Sequence, residues 1–254
     1  MLKYNTLQPD ALRKIREKSI VFLPLGPLEW HGPHLPFGTD GIIAQYVAEH
    51  LAEKENGILM PTLFAGLAPQ ITAETRQALC VTAEKAESRG MDFSTQGIPS
   101  LYMTEEALES ILADYVHGLA AQEFQRLVIL CGHGANAPVL NRICSVAYAD
   151  MRVTWYPALL PFGQSDINSG HATMMETAVM MAIHPELVNL EALPQDNVPL
   201  RCAQWGVADD CYFMQPPKGD GTVIADPRMA TAELGRKYLN HTLTQLHGEL
   251  SAET

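Results

Sequence analysis

One segment of sixteen residues concentrates side chains that could bind a metal ion. It reads Leu25-Gly-Pro-Leu-Glu-Trp-His-Gly-Pro-His-Leu-Pro-Phe-Gly-Thr-Asp40 and contains Glu29, His31, His34 and Asp40. In extended backbone, residues two apart point to the same side, so Glu29 and His31 would face a common ligand. Imidazole and carboxylate groups without thiolates suit Zn, Mn or Fe in a functional site. The segment therefore predicts a metal site.

A second segment, Cys131-Gly-His-Gly-Ala-Asn136, places a histidine between two glycines. The small neighbours would let His133 approach an ion closely, although a lone histidine here also fits a hydrogen-bonded structural role. Residues 132–137 match a degenerate G-x-G-x-x-A dinucleotide fingerprint as well, and Asp150 lies near the place of a ribose-binding acid. A nucleotide-binding site is thus an alternative interpretation.

A third segment, Gly170-His-Ala-Thr-Met-Met-Glu-Thr-Ala178, contains His171 and Glu176. Five residues correspond to about 140° around a continuous helix, so the two side chains share a site only if His171 precedes the helix. Thr173-Met-Met-Glu176 has the pattern of a capping box, which would place Glu176 in the first helical turn. The same pattern leaves open that Glu176 only caps the helix.

Apolar runs and helical spacing predict the elements that position these segments. Asp40 fits a helix N-cap and Gly57 a helix stop, while Asp226 and Pro227 fit the start of the last helix. Strands are predicted at residues 19–25, 126–131 and 152–156, and helices at 40–57, 104–124, 136–150, 173–183 and 227–247. The weakly periodic stretches 61–103 and 195–220 are predicted to be loops that shape a site.

Alternation of strands and helices predicts an α/β fold, a three-layer αβα sandwich with a mostly parallel central sheet. We expect a single domain over residues 1–254. In such sheets ligands bind beyond the carboxyl ends of the strands, and the first two segments directly follow strands. The chemistry-bearing residues are therefore expected to meet at one edge of the sheet.

Composition excludes several classes of function. The chain has 254 residues, 47% hydrophobic and 18% charged, with a formal net charge of −12. With no basic stripe to offset that charge, nucleic acid and anionic membranes are not expected partners. No apolar run suits a signal peptide or a membrane span. Five cysteines without a C-x-x-C pair suit a reducing compartment, so a cytoplasmic location is expected.

The three segments resemble the motifs of the creatininase (creatinine amidohydrolase) family. The first is similar to E-Q-H-G-P-H-L-P-x-x-T-D, with Trp30 in place of the usual glutamine. The second resembles N-G-H-G-G-N, and the third resembles E-H-A-G-x-x-E-T-S at His171, Ala172, Glu176 and Thr177. Residues 223–233 are similar to a C-terminal G-D-P-x-x-A-T-A-E-K-G motif.

The resemblance implies a hydrolase with two divalent metal ions, Zn, Mn or Fe. In this hypothesis Asp40 bridges the ions, Glu29 and His133 hold one, and His31 and Glu176 hold the other. Glu176 would fill the place that Ala135 leaves vacant, and a water between the ions would attack the substrate. His171 would pass a proton to the departing nitrogen. Weaker candidates for orienting ligands or substrate are His34, Asn136 and Asp166.

The sequence departs from the family pattern where substrate would be held. The segment 91–103 lacks a histidine that many relatives carry, and Gly134, Ala135 and Gly170 replace a tyrosine and two glutamates of creatininase. The expected substrate is therefore a small molecule other than creatinine, cleaved at the C–N bond of a cyclic amide or formamide. Ring opening of a cyclic ketone or lactone with a carbohydrate-like skeleton is an alternative. A nucleotide-binding or non-catalytic scaffold protein is a third alternative.

The resemblance also implies a homo-oligomer, of which a hexamer is one form.

Overall fold

The fold is seen in a computed structural model, which describes residues 1–70, 98–148, 150–160, 171–193, 195 and 226–252. Within those ranges the chain alternates strands with helices. The strands are β1 (Leu2–Lys3), β2 (Ile20–Gly26), β3 (Ile58–Leu59), β4 (Leu63–Phe64), β5 (Arg126–Cys131) and β6 (Arg152–Pro157). The helices are α1 (Pro9–Ile15), α2 (Thr39–Lys54), α3 (Glu105–Ala121), α4 (Ala137–Ser145), α5 (Met174–Ile183) and α6 (Ala232–Ala252).

The strands form one sheet in the order β1-β3-β2-β5-β6, with β4 paired to the far end of β2. Each pairing between these described strands is parallel. The longest ladder that includes β2 runs from Ile20 opposite Arg126 to Leu25 opposite Cys131, so β2 and β5 end side by side. Because parallel strands need crossover connections, helices cover both faces. The α/β fold with a mostly parallel central sheet is confirmed.

The two faces of the sheet separate two apolar cores. Ile20 and Phe22 of β2 pack with residues of α2, α5 and α6. Val21 and Leu23 point to the opposite face and pack with α3 and α4. Because successive side chains of a strand alternate between faces, a strand buried on both sides is apolar throughout, as β2 is. The result is the expected layering of helices, sheet and helices.

Two glycines let the start of α2 lie directly on the carboxyl edge of the sheet. A Cβ atom at Gly26, the last residue of β2, would come within 2.6 Å of the Asp40 Cβ. A Cβ atom at Gly132, just after β5, would come within 2.2 Å of the Asp40 carbonyl oxygen. Only glycine permits this approach at either position. Asp40 therefore lies between the ends of β2 and β5.

Several element boundaries differ from the sequence-based predictions. Asp40 is not an N-cap, because Gly38 occupies that position and Asp40 lies within the first turn of α2. That helix ends at Lys54, and Asn56 takes the left-handed conformation (φ 52°) just before Gly57. The helix α4 ends at Ser145 rather than near residue 150, because Val146 is extended and the chain turns back toward β6.

The last helix also begins later than predicted. Pro227–Met229 forms a separate 3-10 turn, and Ala230 is extended, so α6 starts only at Ala232. The side chain of Asp226 does cap this short turn, by accepting a hydrogen bond from the Arg228 N–H. The segments near the chain start, α1 and β1, and the two-residue strands β3 and β4 carry too few residues for a periodic signal.

The predicted loop regions are only partly described. Within 61–103, Leu67 bridges to Met103, while residues 71–97 lie outside the described residues. Residues 196–220 of the other predicted loop also lie outside them. Among the helices that the structure describes, none is both long and apolar enough to cross a membrane.

Candidate metal centre

The predicted ligand residues meet at the carboxyl edge of the sheet. Glu29 follows β2, His133 follows β5, Asp40 lies in the first turn of α2, and Glu176 lies in the first turn of α5. Together with His31, these residues are each less than a tenth exposed. Buried charged groups need partners or an ion to offset the cost of desolvation, so this cluster requires an electrostatic explanation.

The two carboxylate oxygens of Asp40 face two different histidines. Its Oδ1 lies 3.0 Å from Nε2 of His31. Its Oδ2 lies 3.0 Å from Nδ1 of His133. Asp40 therefore stands between two halves of the cluster, with one oxygen directed at each.

Hydrogen bonds on the outer side of each ring fix which histidine nitrogen faces the cluster. The Nε2 of His133 lies 2.8 Å from the carbonyl oxygen of Leu67, which can only accept. The Nδ1 of His31 lies 2.9 Å from the carbonyl oxygen of Glu29, which again can only accept. In the neutral rings the opposite nitrogens carry lone pairs, and both lone pairs point at carboxylates. Such an outer hydrogen bond to backbone is typical of histidines that ligate metals.

The carboxylate of Glu29 is held from one side. Its Oε1 accepts a hydrogen bond of 2.6 Å from the hydroxyl of Tyr102. Its Oε2 lies 3.3 Å from Nδ1 of His133 and 3.4 Å from Nδ1 of His171. One oxygen is thus anchored while the other faces the cluster.

Side chains of the cluster form three groups, each with three possible ligand atoms within 4.8 Å of one another. Two of them share Asp40 and match the division expected from the sequence. The groups are Glu29–Asp40–His133, His31–Asp40–Glu176 and Glu29–His31–His171. The geometry is therefore compatible with two neighbouring ions that Asp40 bridges.

Glu176 takes part both in the helix start and in the cluster. Its Oε2 accepts a hydrogen bond of 2.5 Å from the Ala172 N–H, one residue before the N-cap Thr173. The same oxygen lies 3.9 Å from Nε2 of His31. Ala172 adopts a left-handed conformation (φ 53°), which turns the chain between His171 and the helix. As the spacing required, His171 precedes α5.

His171 approaches the cluster from the side of Glu29 and His31. Its Nε2 is hydrogen-bonded to the carbonyl oxygen of Trp30, so its Nδ1 carries the lone pair that faces Glu29. Its ring centre lies 4.3 Å from that of His31. This position allows His171 to accept a proton near the cluster or to act as a further ligand.

Burial and the concentration of charge shift the pKa values of the cluster. Burial alone would lower the pKa of His31, but the charges of Asp40, Glu176 and Glu29 raise it to about 10. Burial also opposes a rise in the pKa of His133, but the neighbouring carboxylates of Asp40 and Glu29 outweigh it and raise that pKa well above its ordinary value. Burial raises the pKa of Glu176 to about 7 despite the opposing charge of His31. The site favours positive charge between its carboxylates.

The weaker candidates lie around the cluster rather than in it. His34 is buried, donates from Nε2 to Oγ1 of Thr177 at 2.9 Å, and has a pKa lowered to about 3, chiefly by burial. Asn136 accepts from the Leu67 N–H at 2.9 Å through Oδ1. Because Leu67 in turn accepts from His133, Asn136 supports that ring indirectly. Asp166 lies outside the described residues.

A cavity of about 390 Å³ opens onto the cluster. Its polar wall consists of members of the cluster, Glu29, Asp40, His133, His171 and Glu176, and its apolar wall includes Trp155, Leu159 and Met175. Ligand sites are commonly concave and apolar with a few convergent polar groups. The arrangement can hold a cation and place an organic substrate beside it.

The geometry around Gly132 does not support the nucleotide-binding alternative. Gly132 is required for contact with the backbone of Asp40, and His133 points into the cluster. A 3-10 turn over Gly134–Asn136 follows before α4 begins. The glycine at 132 is therefore explained by packing against α2, without a phosphate-binding turn.

Sequence reasoning missed three groups that hold the cluster in place. They are the Tyr102 hydroxyl, the Leu67 carbonyl and the Thr177 hydroxyl. Thr177 lies within a recognised motif, so its place beside Glu176 is a usable signal. Nothing in the sequence marks Tyr102 or Leu67. Both belong to the weakly periodic stretch 61–103, and their partners Glu29 and His133 lie 73 and 66 positions away along the chain.

Comparison with known proteins is consistent with the site. The sequence profile of the creatininase family, described as creatinine amidohydrolase, matches residues 5–249. The mycofactocin precursor peptide peptidase of Mycobacterium ulcerans (strain Agy99) is 31% identical over 85% of this chain and 78% of its own length. The creatinine amidohydrolase of Pseudomonas putida is 24% identical over 68% and 67%. The 3-dehydro-scyllo-inosose hydrolase of Thermotoga maritima is 22% identical over 72% and 58%.

Solved structures show the same fold. A manganese creatininase superposes with a TM-score of 0.69 at 19% identity, covering 99% of this chain and 98% of its own. A zinc–zinc form of a creatininase variant gives 0.69 at 20% identity, covering 99% and 97%. The profile match spans nearly the whole chain, and the three motifs that carry the resemblance converge on one buried cluster. The chain belongs to the creatininase family of hydrolases.

Proposed function

We propose that this chain hydrolyses an amide C–N bond with two divalent metal ions held by Glu29, His31, Asp40, His133 and Glu176. The observation that carries the proposal is the position of Asp40, whose two oxygens lie 3.0 Å from two different histidines. With one oxygen directed at each half of the cluster, Asp40 would help to hold both ions of a two-metal site.

The donor set fits a pair of cations. The Oδ2 of Asp40 is fully buried and accepts no hydrogen bond from the described residues, although Nδ1 of His133 lies nearby. In the neutral ring this nitrogen offers a lone pair, so two electron-rich atoms face one another unless a proton or a metal cation lies between them. The raised pKa of His133 reflects the same demand for positive charge. Glu29 and Asp40 are ionised, and Glu176, whose pKa burial raises to about 7, would lose its proton on binding a cation. Two divalent ions would then more than balance the three carboxylates.

Zinc and manganese are the ions that best fit. Imidazole and carboxylate ligands suit both metals, and solved creatininases are described in manganese and zinc–zinc forms. Iron also accepts these ligand types, but neither of these two solved structures is described as an iron form. When bound, paired divalent ions acidify water to a pKa near 7 and polarise a substrate carbonyl.

The remaining residues position groups and move a proton. Tyr102 holds Glu29, and the Leu67 carbonyl orients His133. His171 lines the cavity, and burial lowers its pKa to about 4, so the ring is neutral with a lone pair on Nδ1. Once it had taken a proton from the attacking water, the ring would be a strong acid. It would then deliver that proton to the departing nitrogen. The apolar wall at Trp155 and Met175 would limit access of bulk water.

An amide is the bond that the comparisons favour. A peptidase is 31% identical and a creatinine amidohydrolase 24% identical, and both names denote cleavage of a C–N bond. The small cyclic amide or formamide expected from the sequence is one form of such a substrate. Ring opening of a cyclic ketone is a second candidate, supported by the 22% identical inosose hydrolase.

Elemental analysis of the chain purified without chelator tests the metal centre. We expect about two divalent ions per chain, as in other two-metal sites, and fewer in Glu176→Ala. Glu249→Ala, which changes an exposed residue of α6, is the control and should retain both ions. Near-zero metal that added Zn or Mn cannot restore would overturn the proposal.

An activity screen then distinguishes the two substrate classes. We expect the metal-loaded chain to cleave amides, and His133→Ala to abolish both turnover and part of the metal binding. Turnover of cyclic ketones alone would favour the second candidate, and unaltered turnover in His133→Ala would remove this residue from the site. The homo-oligomer implied by the family resemblance remains a prediction that sedimentation velocity can test.

A further inference from the structure

A second cavity adjoins the cavity that opens onto the metal-ligand cluster. The volumes are about 390 Å³ for the first and about 470 Å³ for the second. Gly134 and Ala135 line both. Residues 68–70 also border both cavities. Pro69 lines the first cavity, and its neighbours Ala68 and Gln70 line the second. The two cavities therefore share a rim made by two short stretches of chain.

The rim carries little side-chain bulk. Gly134 has no side chain, and a Cβ atom built there would meet none of the described residues within 4 Å. Ala135 contributes one methyl group. Among the described residues of these two stretches, only Pro69 places a ring at the rim, on the side of the first cavity. A ligand chain can therefore cross from one cavity to the other over Gly134 and Ala135.

The second cavity suits an apolar group. Its lining includes four apolar side chains, Leu67, Ala68, Met103 and Pro138, beside the polar Gln70 and Thr104. Its acidic member, Glu105, is directed at the Arg142 guanidinium, 2.5 Å away, which Glu109 also contacts. Burial of an aliphatic side chain against such a surface is favourable in proportion to the area removed from water.

We infer that the substrate is a linear, peptide-like amide whose scissile bond lies at the metal-ligand cluster and whose apolar side chain occupies the second cavity. This inference rests on the proposed amide hydrolysis and adds the length of the substrate and the character of one side chain. A small cyclic amide would fill the first cavity only and would leave the second without a role.

Hydroxamates provide a test that needs no knowledge of the natural substrate. Acetohydroxamate chelates divalent ions through two oxygens and reports on the metal centre alone. Peptidyl hydroxamates with one, two or three residues, ending in either leucine or glycine, report on the second cavity. Titration calorimetry of the metal-loaded chain should show, at one length, leucine binding about tenfold or more tighter than glycine.

Two variants test whether the tighter binding of leucine probes depends on the second cavity. Ala68→Phe places a ring in the second cavity and Gly134→Phe places one on the rim, and both should reduce the leucine-to-glycine ratio toward one. Ala121→Phe, at the exposed end of α3, is the matched control and should retain the ratio. The leucine-to-glycine ratio compares two probes on the same protein. A variant that only weakens metal binding therefore lowers both affinities and leaves the ratio unchanged.

The outcomes separate this inference from the function on which it rests. Equal affinity of leucine and glycine probes at every length would overturn it, as would a ratio that survives both variants. Failure of acetohydroxamate itself to bind the metal-loaded chain would instead count against the metal centre, and the inference would fall with it.

Discussion

The hydroxyl of Tyr102 donates a 2.6 Å hydrogen bond to Oε1 of Glu29, across 73 positions of the sequence. The bond leaves Oε2 of Glu29 directed at His133, at 3.3 Å. Tyr102 therefore selects which oxygen of this carboxylate faces the cluster. Since the tyrosine is not itself a member of the three candidate ligand groups, its effect on metal binding would pass through Glu29.

Tyr102→Phe should weaken metal binding at the group that contains Glu29. Loss of an outer hydrogen bond to a metal ligand typically costs about 10- to 100-fold in metal affinity or activity. Metal affinity measured by competition with a chromogenic chelator would show this loss. Tyr115→Phe, which alters a tyrosine exposed on α3, is the control. An affinity in Tyr102→Phe equal to that of the control would show that Glu29 is held without the tyrosine.

Much of this arrangement can be predicted from local sequence. The strands β2 and β5 are almost uninterrupted apolar runs, and a parallel sheet places their carboxyl ends side by side. The spacing of Glu29 from His31, and of His171 from Glu176, is then compatible with a shared site at that edge. These features follow from periodicity and chain direction, which the sequence itself contains.

The groups that orient the ligands are not predictable in the same way. The carbonyl of Leu67 and the hydroxyl of Tyr102 act through contacts set by tertiary packing, and a backbone carbonyl has no signature in sequence. Asp40 is also ambiguous in sequence, since an aspartate at a helix start fits a cap as well as a ligand. Only the close approach of α2 to Gly26 and Gly132 shows why its side chain points into the cluster.

Asn136→Ala should destabilise the chain and weaken metal binding at the His133 group. The buried amide accepts from the Leu67 N–H at 2.9 Å and donates to the Ala65 carbonyl at 3.3 Å. Leaving such buried partners unpaired costs about 1–3 kcal/mol in the free energy of unfolding. Removal of this support would also let the Leu67 carbonyl shift away from His133.

Urea unfolding and metal competition on the same protein would measure both effects of Asn136→Ala. The matched control is Asn141→Ala, because Asn141 accepts a hydrogen bond from Trp155 at 2.9 Å on the exposed side of α4. Loss of this exposed hydrogen bond in Asn141→Ala should lower the free energy of unfolding less than Asn136→Ala does and should leave metal binding unchanged. Equal effects of the two variants would argue against a specific role for Asn136.

Two glycines of α6 should respond oppositely to alanine. A Cβ atom at Gly235 would come within 1.9 Å of the Ala178 carbonyl oxygen in α5, whereas one at exposed Gly248 would meet none of the described residues within 4 Å. Gly248→Ala should raise the free energy of unfolding by up to about 1 kcal/mol through helix propensity. Gly235→Ala should lower it by about 1–3 kcal/mol, as overpacking does.

Gly235→Ala should also affect the metal centre, because the carbonyl that must move lies two residues after Glu176. Thermal unfolding with and without chelator would show the loss of stability and a smaller contribution from metal. If both glycine variants were equally stable, the close packing of α6 against α5 would not be as the structure describes it.

Removal of metal should lower the melting temperature substantially. In the metal-free chain, protons on His31 and His133 only partly offset the buried carboxylates. Divalent cations that bind the folded chain and not the unfolded one would therefore stabilise it. An ion present at a thousand times its dissociation constant contributes about 4 kcal/mol. For a chain of this size each kcal/mol corresponds to about 2–4 °C. Dialysis against a chelator should therefore lower the melting temperature by about 10 °C, and added Zn or Mn should restore it.

The variant Asp40→Asn removes the charge shared by both ligand groups, so the chelator should have little further effect on its melting temperature. A shift as large as in the native chain would place the bound metal elsewhere.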